Sequence, residues 1–171
     1  MDRHPGGEAH SRHMIELAGL PAGAKVLDMG AGAGELTALL RGAGYDARGI
    51  DLQPRGEGVE QGDFLHCPWA DASFDAVFSQ CAFYAGGDVP GALKEAWRLL
   101  KTGGVLVLSD VCPRDEDLAQ TARAAGFEVL RCEDLTESWK QYYIQLLWEG
   151  KIAPMSRDRK FGYILLLCRK R

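Results

Sequence analysis

The sequence predicts an α/β fold, a parallel sheet carrying helices on both faces. Three observations point to it. Short apolar runs of strand length alternate with amphipathic stretches of helix length along the chain. One of these runs, Val105-Leu-Val-Leu108, is apolar at every position, as expected of a strand buried on both faces. Another, Lys25-Val-Leu-Asp-Met29, runs into a cluster of glycines that opens a helix.

Residues 1–20 read as an N-terminal helical segment ahead of the first strand, Lys25 to Met29. Glu35 to Arg41 is helical and is stopped by Gly42 and Gly44; Tyr45 to Asp51 is the second strand and Phe74 to Ser79 the third. Asp88-Val-Pro90 opens the next helix, with Asp88 as N-cap and Pro90 suited to the first turn. Its apolar residues Ala92, Leu93, Ala96, Trp97, Leu99 and Leu100 recur at helical spacing, and Lys101-Thr-Gly-Gly104 supplies a glycine C-cap. After Val105–Leu108 come a helix from Asp115 to Ala125 capped by Gly126, a strand from Phe127 to Cys132, a helix from Glu137 to Trp148 and a last strand from Tyr163 to Cys168.

With 171 residues, 46% hydrophobic and 26% charged, the chain reads as one globular domain over residues 1–171. No apolar run approaches the roughly 18 residues of a membrane span, and Met1 to His10 lacks the apolar core of a signal peptide. Five cysteines, none in a CxxC pair, fit a reducing cytoplasm better than a disulfide scaffold or zinc ribbon. The four histidines show no metal-ligand spacing, so no metal is expected. Net charge is −4, yet residues 151–171 carry +6 and residues 1–150 carry −10. Such a balance disfavours a nucleic-acid partner for the whole molecule, while the basic segment could rim an anion site.

The chemistry lies in Val26-Leu-Asp-Met-Gly30-Ala-Gly32-Ala-Gly34-Glu-Leu-Thr37. Glycines let backbone approach a ligand closely, and a helix N-terminus offers free N–H groups. Asp51, 23 residues after Asp28, ends the next strand, where an acid holds a ribose diol in nucleotide-binding α/β folds. The spacing is G-x-G-x-G, and Glu35 stands where a dinucleotide fingerprint wants a small residue; its charge would repel a pyrophosphate. Asp28 beside the loop suits an ammonium. Adenosine with one carboxylate, one ammonium and no phosphate describes S-adenosylmethionine.

Over residues 20–135 the chain resembles the class I S-adenosylmethionine-dependent methyltransferases of the compact type 11 kind. VLDMGAGAG, GIDLQ, Gly62-Asp-Phe64, FDAVFSQ and RLLKTGGVLVLSD follow that family's motifs in order. The resemblance implies a single-domain, Rossmann-like, doubly wound sheet, mostly parallel with an antiparallel C-terminal strand. It also implies roles by position. Gly30, Ala31, Gly32 and Gly34 would line the methionine part, with Asp28 supporting its amino group. Asp51 would take the ribose hydroxyls and Leu52 would pack on the adenine. Asp63, after Gly62, would accept from the adenine amine, and Phe64 would supply a backbone N–H and an apolar wall. Ser79 and Gln80 would sit under the sulfonium, and S-adenosylhomocysteine would be the product.

Methyl transfer from a sulfonium is an in-line displacement that needs approach, alignment and desolvation. The acids that organise metal-assisted methylation are missing at the end of the Phe74–Ser79 strand, so the transfer is expected to be metal-independent. The Asn/Asp-Pro-Pro-aromatic motif of amino-methylating enzymes is replaced by Ser79-Gln-Cys-Ala-Phe-Tyr84. Tyr84 and Asp110 are candidate bases, and Cys81 reads as a small core residue. The candidate substrate-side segment is 136–160, with Trp139 and Tyr143 as pocket floor and Arg157 and Arg159 as a cationic rim. The expected protein is a cytoplasmic monomer or homodimer acting on a small molecule. Two alternatives are a nicotinamide-dependent oxidoreductase and a catalytically silent cofactor-binding partner protein.

Overall fold

A computed structural model describes residues 4–151 and 160–171. In chain order the elements are α1 (Gly7–Ala18), β1 (Lys25–Met29), α2 (Glu35–Gly42), β2 (Asp46–Asp51), β3 (Val59–Gln61), β4 (Phe74–Gln80), α3 (Val89–Leu99), β5 (Leu100–Pro113), α4 (Leu118–Ala124), β6 (Phe127–Asp134), α5 (Thr136–Trp148) and β7 (Phe161–Lys170). They form one seven-stranded sheet in the order β3-β2-β1-β4-β5-β7-β6. All neighbours are parallel except β7, which runs antiparallel to both β5 and β6. This is the doubly wound, mostly parallel sheet with an antiparallel C-terminal strand that the resemblance implied.

Strand alternation divides the core in two. Leu27, Val77, Leu106 and Leu108 face one side, against Leu93, Ala96 and Leu99 of α3 and Leu118 and Ala122 of α4. Val26, Phe78, Val107 and Leu165 face the other, against Met14 of α1 and Leu36 and Leu40 of α2. The cap expected at α3 is present: Asp88 accepts a hydrogen bond from the Gly91 N–H at 2.8 Å, with Pro90 in the first turn.

Three elements differ from expectation. Lys101-Thr-Gly-Gly104 does not cap α3; the helix ends at Leu99, and Leu100 is already extended and paired with Phe74. The next β4–β5 pair is Ala76 with Val105, so residues 101–104 bulge from the ladder, with Gly103 at φ +80°. The helix expected from Asp115 starts at Leu118, because the Asp117 carboxylate caps it by accepting from Gln120 N–H. β3 is a three-residue edge strand with no counterpart in the reading of the sequence. Among the described residues no helix is long and apolar enough to cross a membrane.

Candidate functional site

A cleft of about 950 Å³ opens where β1, β2 and β4 end, lined by residues 30–33, Asp51, Leu52 and residues 80–82. That is the carboxyl edge of the parallel strands, where α/β sheets place ligands.

The glycine loop is held in left-handed backbone, and at Gly30 also by a contact that leaves no room for a side chain. Gly30 sits at φ +79°, and a Cβ there would stand 2.2 Å from the Ala82 Cβ. At Gly32 the backbone sits at φ +53°, which favours glycine, while a Cβ would press only on the movable end of Arg55. The N–H groups of Gly30 and Ala31 both donate to the Ile50 carbonyl, at 2.9 and 3.0 Å, which ties the loop to β2. At the end of β2, Asp51 accepts from Gly32 N–H through one oxygen and from Gln53 N–H through the other, both at 2.8 Å. Leu52, 57% exposed, stands beside it as an unburied apolar surface at the mouth.

Asp28 is in a different position from Asp51. It is fully buried beneath the loop, accepts from the Thr37 hydroxyl at 2.7 Å, and does not line the cleft. Burial, chiefly, raises its carboxyl to about 7, against the pull of the Thr37 hydrogen bonds. Gly34 caps α2 beside it.

The segment after β3 is divided. Phe64 is buried, stacks on Phe83 with centroids 5.6 Å apart, and lines the cleft. Gly62 and Asp63 do not line it. Gly62 N–H donates to the Asp51 carbonyl. The Asp63 carboxylate takes the Leu65 N–H at 2.8 Å and meets His66 Nδ1 at 3.1 Å; the Leu65 bond, first, holds it below the usual range.

Ser79 donates to the Met29 carbonyl at 2.8 Å and clasps β4 to β1 in the interior. Gln80 and Cys81 form cleft floor. Cys81 is not the core residue expected: it turns into the left-handed region, φ +57°, is only partly buried, and brings its thiol 3.7 Å from the Tyr163 hydroxyl. Burial pushes that thiol up to about 12.

The two candidate bases stand apart from the cleft lining. Asp110 is buried, accepting from the N–H groups of Phe83, Tyr84 and Val111 at 2.9, 3.2 and 2.8 Å; burial raises it to about 6. It organises the loop after β4. The Tyr84 hydroxyl donates to Glu116 at 3.0 Å, and burial followed by that bond raises its pKa. On α5, Trp139 is buried and stacks on Tyr143 at 5.3 Å, but Tyr142 and Leu146 line the cleft instead. Arg157 and Arg159 lie outside the described residues. Glu35, noted in the sequence for its charge, lines the cleft, and His4, Arg55 and Lys151 line it without having been singled out. Only the Tyr142–Leu146 spacing, one helical turn, carries a signal that could have found them. Among the described residues no group of three or more His, Cys, Asp or Glu could hold a metal.

Residues 27–108 match the methyltransferase-domain family. The chain is 31% identical over 140 residues to methyltransferase GfsG of Streptomyces halstedii, covering 71% of this chain and 50% of that protein. It is 30% identical over 146 residues to ribosomal RNA-processing protein 8 of Caenorhabditis briggsae, covering 84% of this chain and 42% of that one. The chain thus spans half or less of the length of these curated relatives. Among solved structures it is similar to Haemonchus contortus phosphoethanolamine N-methyltransferase 2 in complex with S-adenosyl-L-methionine. That match has a TM-score of 0.78 at 18% identity, over 98% of this chain and 53% of that one. The cyclase SpnF has the same fold, with a TM-score of 0.71 at 20% identity, over 98% of this chain and 84% of that one.

Proposed function

The chain belongs to the class I S-adenosylmethionine-dependent methyltransferases, and from that premise we propose that it methylates a small-molecule acceptor by metal-independent in-line displacement. The observation that carries the proposal is the cleft itself. Its glycine wall is joined to the ribose-type acid, Asp51, by a direct hydrogen bond to Gly32. A second carboxylate, Glu35, lines the same cleft together with Arg55 and Lys151, and the loop keeps the G-x-G-x-G spacing rather than that of a dinucleotide fingerprint. That weighs against a nicotinamide cofactor.

Bound there, S-adenosylmethionine supplies an activated methyl group on a sulfonium. The loop from Gly30 to Gly34 admits its methionine part against bare backbone. Asp51 takes the ribose hydroxyls through lone pairs its two backbone donors leave free, and Leu52 and Phe64 flank the adenine. Asp28, sealed on Thr37, supports the amino end through the shape of the loop. Cys81 stays a neutral thiol near pH 7, so the floor carries no charge there. The described residues offer the acceptor no carboxylate base at the floor, so an acceptor that is nucleophilic when neutral is the best match.

Size supports a small acceptor. About 950 Å³ is the upper range for a ligand pocket, enough for the cofactor and one metabolite. The charge of −10 over residues 1–150 opposes a polyanion, while the +6 of residues 151–171 and the likeness to ribosomal RNA-processing protein 8 favour an RNA acceptor. The test is calorimetric titration with S-adenosylhomocysteine and NAD, then a screen of metabolites and RNA for S-adenosylhomocysteine release. Binding of NAD alone would overturn the cofactor reading. Release with RNA and no metabolite would overturn the acceptor class, and binding without release in any arm would leave a silent binding protein.

A further inference from the structure

The loop that carries Phe64 to the cleft is gripped from outside the cleft by α3. Among the described residues, 62–73 join β3 to β4 without a helix or strand of their own, so their backbone groups have no ladder to satisfy them. Arg98 supplies partners instead. Its Nη2 donates to the Cys67 carbonyl at 3.2 Å, and its Nη1 donates to the Trp69 carbonyl at 2.9 Å and to the Asp71 carboxylate at 2.7 Å. Nε and Nη2 also donate to the two oxygens of Glu95, one helical turn back, at 2.9 and 2.6 Å. These bonds are as many as a guanidinium has N–H groups. Glu95 in turn accepts from Cys67 N–H at 2.9 Å. The backbone joins in: Ala72 N–H donates to the Arg98 carbonyl at 3.0 Å, with Ala72 in the left-handed region at φ +54°. Neither Arg98 nor Glu95 lines the cleft.

We infer that Arg98, backed by Glu95, is a positioning residue: from outside the cleft it sets Phe64 as the cleft wall. The inference rests on the cofactor reading above and concerns residues that touch no ligand. The route from the clamp to the wall is short. Cys67 is fixed through both its N–H and its carbonyl, and its thiol donates back to the Phe64 carbonyl at 3.5 Å. Between them, Asp63 closes a turn by accepting from Leu65 N–H at its carboxylate and from His66 N–H at its carbonyl. The Phe64 ring is wedged between two loops of the cleft. A Cβ at Gly86 would stand 2.7 Å from its Cζ, and a Cβ at Gly30 would stand 3.7 Å from its Cε1. A shift of the 63–67 backbone therefore moves the wall itself. The clamp has a rigid anchor, because Arg98 is followed by Leu99 and Leu100, both wholly buried where α3 passes into β5. Charge alone would not suffice. A lysine could pair with Glu95, but it lacks the planar fork that reaches two carbonyls and two carboxylates at once.

The test is a double-mutant cycle on the full chain, read by calorimetric S-adenosylhomocysteine affinity at a temperature well below every variant's melting point. Arg98→Ala should weaken binding about fivefold or more, and Phe64→Leu, which keeps an apolar side chain, should weaken it by a similar factor. If Arg98 acts through Phe64, the double variant should bind about threefold or more tighter than the product of the two single losses. Arg98→Lys should recover little of the loss. Asp71→Ala removes a bond at the exposed rim and should stay within about twofold of the unaltered chain. Three results would each overturn the inference. One is a lower melting temperature in Arg98→Ala with unchanged affinity, the mark of a merely structural brace. The others are losses that simply multiply in the double variant, and full recovery in Arg98→Lys. If Arg98→Ala does not fold, Arg98→Lys takes its place in the cycle, with the same coupling expected. An unaltered chain that does not bind S-adenosylhomocysteine removes the cofactor reading itself, which is a distinct failure.

Discussion

On the β1–β2 side of the cleft, acids are held by groups close in sequence: Asp51 by Gln53 and Gly32, Asp28 by Thr37, over separations of 2, 19 and 9 residues. On the β4–β5–β7 side, polar groups meet across the whole molecule, with His10 on Ser109 and Ser11 on Gln80 over separations of 99 and 69 residues. One side is a shape made by a single stretch of chain. The other exists only when α1 and three strands have come together. The difference teaches where a substitution will act. Changes on the first side alter ligand affinity or the loop alone, whereas changes on the second alter docking of α1 and affinity together.

The sharpest way to break the first side is Gly30→Ala. The new methyl would overlap Ala82, and the backbone sits at φ +79°. Left-handed strain of about 1–2 kcal/mol and overpacking of about 1–3 kcal/mol should lower the melting temperature by about 5–15 °C. S-adenosylhomocysteine binding should vanish in calorimetry.

The two sides should also respond oppositely to pH. Asp28 titrates near 7 in the fold against an ordinary 3.8, so between these values the folded chain holds the extra proton. Its contribution to stability is present at low pH and is lost as pH rises from about 4 to 7. His10 titrates near 4 against an ordinary 6.5, so the unfolded chain holds the extra proton between them. Its contribution is present above about 6.5 and is lost as pH falls toward 4. At about 1.4 kcal/mol per unit, each amounts to a few kcal/mol. Asp28→Asn should therefore gain on the unaltered chain as pH rises, and His10→Gln as pH falls. Denaturant midpoints at pH 4.5, 6 and 7.5 would check this; parallel curves would erase the contrast.

Asp51→Ala tests affinity without collapse. Losing a charge-assisted ribose contact should weaken S-adenosylhomocysteine at least about tenfold. The loss of two backbone partners should cost only about 1–3 kcal/mol of stability. Unchanged affinity would remove the ribose assignment. The smallest effect is expected from Tyr84→Phe. It gives up the Glu116 hydrogen bond, about 1 kcal/mol, and should leave S-adenosylhomocysteine release within about twofold, because the hydroxyl is outside the cleft lining.

The same division marks what could be read in advance. The glycine loop, Asp51 and the strand–helix alternation lie in short stretches whose residue types state their own conformations. The β3 strand is three residues, none of them buried, and offers no apolar pattern. Gly103 and Gly104 fit a helix cap as well as a bulge, and only pairing with β4 decides between them. The turn of Cys81 into the left-handed region is set by the loop that follows and leaves no trace in residue type. Helical spacing in α5 shows that one stripe packs and another faces out, but not which stripe meets the cleft; Tyr142 and Leu146 took the place expected of Trp139 and Tyr143. Contacts such as Ser11 with Gln80 join residues whose sequence neighbourhoods have no common pattern.

The position of β7 bears on how the molecule is made. β6 precedes β7 in the chain, yet β7 lies between β5 and β6 and, among the described residues, is the only strand that pairs with β6. During synthesis β6 therefore emerges with no neighbour to join, while β5 presents an open edge for the time it takes to make residues 114–160. Both edges close in one event when residues 161–170 arrive. Until then the nascent chain carries two unpaired strand edges, the kind of surface that chaperones shield and that aggregation exploits.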